Sequence, residues 1–177
     1  GGLVGNVMNA NVSIDYGFTN VNVSSSGDHL GGFVGLNSGT INHSHALGSV
    51  TGNTGNSDTG GFIGLNNTGE VSNSYSTGDV TGGNNIGGFV GLGSNDSIST
   101  SYSTGDVLGT DQIGGFCGTA SNSTVHDAYA MGEVTGTQTV GGFCGVINGA
   151  DIENVYSRGS VTGSSSVGGL IGSLVDS

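Results

Sequence analysis

A Gly-Gly pair returns at residues 1–2, 31–32, 60–61, 87–88, 114–115, 141–142 and 168–169, each followed two residues later by Val, Ile or Cys and then another glycine. The first two intervals are 30 and 29 residues and the last four are 27 each. A fixed period of this size marks a repeat architecture in which each unit buries its apolar side chains against its neighbours. The chain therefore reads as one solenoid domain, residues 1–177, with repeats starting at 1, 31, 60, 87, 114, 141 and 168. It starts and stops inside the motif, which is expected of a segment of a larger protein or assembly.

Without the period, the composition would point to disorder: 39 of 177 residues are glycine and only 33% are hydrophobic. The hydrophobic residues keep fixed offsets, however. One copy carries Phe89, Val90, Ile98, Tyr102, Val107 and Ile113, and the next carries Phe116, Cys117, Val125, Tyr129, Val134 and Val140. Stacking would turn each offset into a continuous column. Proline is absent, and short β-prone runs are separated by Gly, Asn, Asp and Ser. Three such runs per unit predict an all-β fold, a right-handed parallel β-helix of about six coils of 27–30 residues with three short strands per coil. At a strand spacing of about 4.8 Å the rod is roughly 30 Å long. Extra residues at 52–59 place a tolerant loop after the Val-Thr-Gly run.

Gly-Gly-Phe-Val-Gly-Leu, followed by Ile-x-x-x-Tyr-Ser-Thr-Gly-Asp-Val, resembles the GLUG-motif repeat of large surface and secreted microbial proteins. The resemblance rests on copies such as Val71 with Tyr75–Gly82 and Ile98 with Tyr102–Val107, and it covers nearly the whole chain. It implies an extracellular, adhesin-like or structural β-solenoid and carries no catalytic residues. The first coil departs most, with Asn22-Val23 at the place of Thr-Gly, and His45 stands for Tyr in the second.

Thirteen acidic residues face one Arg (Arg158) and no Lys, a formal charge of −12. Phosphate backbones and anionic bilayers both call for basic residues, so neither nucleic-acid binding nor membrane insertion is expected. The acidity suits secretion or a salty medium. Enzyme signatures are equally poor. The glycine motif lacks the Lys of a phosphate loop, and Leu36, Leu65 or Leu92 stands where a calcium-binding nonapeptide repeat needs Asp. Asp127, Asp151 and Glu153 read as solvated carboxylates rather than glycosidase pairs. No enzyme activity and no cofactor are expected. His43 and His45, at i and i+2 on one strand face, read as surface or packed side chains rather than metal ligands.

Cys117 and Cys144 share one repeat position, where other copies have Val or Ile. They read as buried thiols, with a vertical disulfide as the alternative. Asp79, Asp106 and Glu133 form an acidic row, read as solvated, with a Ca²⁺ ladder as the alternative. Tyr16, Tyr75, Tyr102, Tyr129 and Tyr156 form an aromatic row that either packs or offers a sugar platform. Thr51, Thr81, Thr135 and Thr162, broken by Leu108, form an outward row of the kind that binds ice, spoiled by its charged neighbours. Ser72, Ser74 and Ser76 with Ser99, Ser101 and Ser103 read as a small-residue patch.

The expected function is a non-catalytic structural or adhesive module at the cell surface or outside the cell, stacking on itself or on flanking repeats and meeting surface glycans or proteins. A carbohydrate-binding or carbohydrate-cleaving solenoid is the alternative, and ice binding comes third.

Overall fold

The computed structural model describes residues 1–175, and among these it contains parallel β-strands and no helix. Each coil contributes to the same four hydrogen-bonded ladders. Sheet 1 carries the Gly-Gly-Phe-Val-Gly run, for example Val90–Ser94 beside Cys117–Ser121. Sheet 2 carries the Ile-to-Tyr run, for example Ser97–Ser103 beside Thr124–Ala130. Sheet 3 carries the Val-Thr run, for example Val134–Thr135 beside Val161–Thr162. These are the three strands per coil expected from sequence. The residues leading into each Gly-Gly pair add a fourth short ladder, sheet 4, for example Asn84–Gly87 beside Asp111–Gly114.

The repeat offsets become columns. Phe33, Phe62, Phe89, Phe116 and Phe143 stack face to face at 4.7 to 4.9 Å and are fully buried. They belong to a core lying between sheets 1 and 2. A second core gathers Val50, Val80, Val107 and Val134 of sheet 3 with Leu30, Ile86, Ile113 and Val140 of sheet 4. So a 33% hydrophobic chain still buries two continuous stripes, because every apolar residue is placed over its own kind. The third glycine of the motif is where sheet 4 rests directly on sheet 1. A Cβ on Gly91 would sit 2.5 Å from the Asp58 carbonyl carbon and 2.6 Å from the Thr59 nitrogen.

Three columns of left-handed residues bend each coil. One comprises Tyr16, His43, Asn73, Thr100, Asp127 and Asn154, a second His29, Asp58, Asn85, Gln112, Thr139 and Ser166, and a third Thr68, Asn95, Asn122 and Gly149. Asn, Asp and Gly149 enter this region at little cost, whereas the others depend on the ladders on either side. A left-handed residue in mid-strand also resets the in–out alternation.

That reset corrects the proposed serine patch. Ser74, Ser76, Ser101 and Ser103 are buried, and only Ser72 and Ser99 keep partial exposure. Ser76 and Ser103 Oγ donate to the Gly88 and Gly115 carbonyls at 2.6 and 2.7 Å, satisfying the Gly-Gly turn from inside. The first coil is also re-registered. Val23 pairs with Val50 and Ser24 with Thr51, so Val23-Ser24-Ser25, not Asn22-Val23, occupies the Val-Thr-Gly place. The loop after Val50-Thr51-Gly52 is one site of length change. A second is 8–12, across which the pairing offset drops from Val4↔Val34 to Ser13↔Thr40, and a third is 38–39, shorter by one residue than 67–69 of the next coil, where Asn37 pairs Asn66 but Thr40 pairs Glu70.

Candidate binding surfaces

The aromatic column on sheet 2 is Phe18, His45, Tyr75, Tyr102, Tyr129 and Tyr156. From His45 to Tyr156 the rings stack at 4.7 to 5.0 Å and within 7° of parallel. Tyr16 does not belong to it. It is 77% exposed and stacks instead on His43, one column away, because the left-handed residue falls at Tyr16 and hands the aromatic position to Phe18. His43 and His45 thus end in different columns, each stacked on an aromatic ring. Tyr75, Tyr102 and Tyr129 are half-buried, and their ring faces are covered by one another. Tyr156 is 46% exposed, with the Arg158 guanidinium 5.9 Å from its ring centre. Burial, then the neighbouring Tyr129 and Tyr75 hydroxyls, hold the Tyr102 hydroxyl above its ordinary pKa.

Sheet 3 turns the threonine row outward, as alternation requires with its valines inside. Thr51, Thr135 and Thr162 are exposed and Thr81 is half-exposed. Leu108 interrupts the row and is 50% exposed. The acidic row runs beside it. Asp106 N–H donates to Asp79 Oδ1 at 2.9 Å and Glu133 N–H to Asp106 Oδ1 at 2.8 Å, so each aspartate leans along the rod toward the next coil. That contact lessens the cost of like charges one strand spacing apart. Together Asp79, Thr81, Asp106, Leu108, Glu133 and Thr135 line a shallow groove of about 310 Å³. Leu108, read from sequence as a break in the threonine row, gives the groove an exposed apolar lining residue. No three His, Cys, Asp or Glu side chains among the described residues come together as a metal-ligand set.

Cys117 and Cys144 pair in register across sheet 1 and are both buried and unbridged. Their thiols donate to the Thr119 and Val146 carbonyls at 3.1 and 3.2 Å. The adjacent Cys144 and burial push the Cys117 thiol well above its ordinary pKa. Asp127 is exposed and accepts hydrogen bonds from His126 and Asn154, which hold its carboxyl below the usual range. Asp151 and Glu153 are exposed on the same ladder, next to Thr124 and His126 of the preceding coil. One cluster escaped the sequence reading, the buried Asn37, Asn66 and Asp96. The signal for it was a polar residue at the place where later coils have Ala120 and Ile147.

The GLUG motif matches residues 55–81 and 136–162, which run from the end of the second unit through most of the third and from the end of the fifth through most of the sixth. No curated protein and no solved structure matches the chain.

Proposed function

We propose that this chain, which carries the GLUG motif, is a non-catalytic structural and adhesive module of a secreted or cell-surface protein. The observation that carries this reading is the columnar layout of the surface. Tyrosines from Tyr75 to Tyr156, carboxylates from Asp79 to Glu133 and a threonine row interrupted by Leu108 run in columns along the rod, so polar chemistry is spread in stripes instead of converging on one point. Striped surfaces of this kind suit contact with long or repetitive partners. The Lys-free, acidic composition fits an exterior, salt-rich setting.

The test is binding of the chain to immobilised glycans and surface proteins, paired with product assays on acidic polysaccharides. Binding without product release is the expected result. Turnover abolished by Asp151→Asn or Glu153→Gln would overturn the proposal.

Self-stacking is part of the same reading. Leu3, Phe18 and Val21 on the first coil, and Tyr156, Val167 and Leu170 on the last, are exposed apolar side chains. Phe18 and Tyr156 lie on one column that a second copy or a flanking repeat would continue, and a heterologous contact between copies that does not close propagates. Light scattering and electron microscopy test it, with concentration-dependent rods expected. A strict monomer at high concentration would remove this part of the proposal.

A further inference from the structure

A polar column runs through the apolar core beneath sheet 1. Asn37 Nδ2 donates to Asn66 Oδ1 at 2.9 Å, and Asn66 Nδ2 donates to Asp96 Oδ2 at 2.6 Å. All three residues are buried. Asp96 reaches the column because Gly93, in register with Asn66, leaves room: a Cβ there would lie 2.9 Å from Asp96 Oδ1. The next coil closes the polar run with Ala120. The Ser123 hydroxyl lies beside the Asp96 carboxyl and 3.0 Å from the Ser121 carbonyl, with a single proton for the two acceptors. Asp96 Oδ1 has no hydrogen-bond partner.

Donation therefore runs one way, from Asn37 to Asn66 to Asp96, and resumes from Ser123 to Ser121. A carboxylate has no proton of its own, so with Asp96 ionised the single Ser123 proton serves either the carboxylate or the Ser121 carbonyl and the other acceptor goes short. A neutral carboxyl joins the two halves, its O–H donating to the Ser123 oxygen. We propose that Asp96 is a proton-binding site that controls the stability of the central coils: protonated it completes the column, and ionised it leaves an incompletely partnered charge in the core.

Burial pushes the Asp96 carboxyl up to about 6, against the smaller opposing pull of the neighbouring Ser123 hydroxyl, the Asn66 amide and its own backbone. The strands packed around it present few other titratable groups. The coil below offers the neutral Asn66 and Asn37, and the coil above Ser123 and the Cys117 thiol, with Cys144 behind it. The Cys117 thiol stays protonated because its own pKa is raised. Because the folded pKa lies above the unfolded value, the stabilisation is full below about pH 4 and is lost as pH rises through about 6.

Thermal melting of the chain and of Asp96→Asn, each from about pH 4 to pH 7.5, tests the proposal. The amide that this substitution introduces offers a permanent N–H to Ser123. The variant should melt close to the parent at the acid end and several degrees above it at neutral pH. Asp15→Asn, an exposed aspartate of the first coil outside the acidic row, is the control and should show no gap of that kind. A gap that stays constant with pH, or one reproduced by the control, overturns the proposal. A carbon-13 titration of the Asp96 carboxyl in the parent chain decides independently of whether the variant folds. A midpoint near 6 supports the site, and one near 4 removes it.

Discussion

The rings of Tyr102 and Tyr129 lie 4.8 Å apart and within 1° of parallel, although a whole coil of chain separates the two residues. Each ring face is the floor for the next, so the column's contribution lies in its packing. Tyr129→Ala should cost about 2–3 kcal/mol in chemical denaturation, while Tyr129→Phe should stay within about 0.5 kcal/mol. The same Phe substitution removes one of the hydroxyls that raise Tyr102. Spectrophotometric titration should therefore show Tyr102 ionising at lower pH in Tyr129→Phe, though still above its ordinary value because burial remains the largest cause.

Phe89 and Val107 head the two cores. Phe89→Ala should cost about 3–5 kcal/mol, since the rings above and below cannot collapse into the gap without breaking the ladder spacing. Val107→Asp places an unpaired charge in the second core and should cost several kcal/mol, roughly 3 or more. Thr135→Val, one residue beyond the inward Val134 and exposed, should change stability by less than about 0.5 kcal/mol. Denaturant midpoints of the three variants check the inside–outside assignment.

Two glycines with the same substitution should behave oppositely. Gly91→Ala drives a methyl into the backbone of Asp58 and Thr59 and should destabilise by roughly 1–3 kcal/mol. At Gly55, in the loop after Gly52, an added Cβ meets nothing within 4 Å, so Gly55→Ala should be neutral or stabilise by up to about 1 kcal/mol. Melting temperatures of the pair check whether the motif glycine serves sheet packing.

Cys117 and Cys144 should resist alkylation in the folded chain, because both are buried and the thiolate is disfavoured at Cys117. Mass spectrometry after iodoacetamide treatment should find them modified only when the chain is unfolded. Cys117→Val, which installs the side chain found one coil earlier at Val90, should cost less than about 1.5 kcal/mol. Rapid labelling under native conditions would place the pair outside the core.

The period and residue types alone carried the all-β solenoid, its coil count and the Phe, Val and Tyr columns. An offset repeated every 27 residues can bury apolar groups only by stacking like on like, so no alternative pairing competes. The threonine row was equally legible, because simple alternation holds across Val134-Thr135. Alternation failed wherever a left-handed residue intervened. Thr100 inverts it, so Ser101 and Ser103 turn inward with Ile98 while Tyr102 stays half-exposed, and the same event at Tyr16 passes the aromatic place to Phe18.

Local sequence does not announce such residues, since Tyr, His, Thr and Gln adopt the conformation here only under constraint from the ladders. The buried column is further from local reading still. Asp96 is three residues past Gly93, and only folding brings its carboxyl through the space that glycine leaves to meet Asn66. Sequence by itself determined which positions stack. The tertiary structure decided which side of the wall each polar residue faces, because that depends on corner conformations and on the room left by residues in adjacent coils.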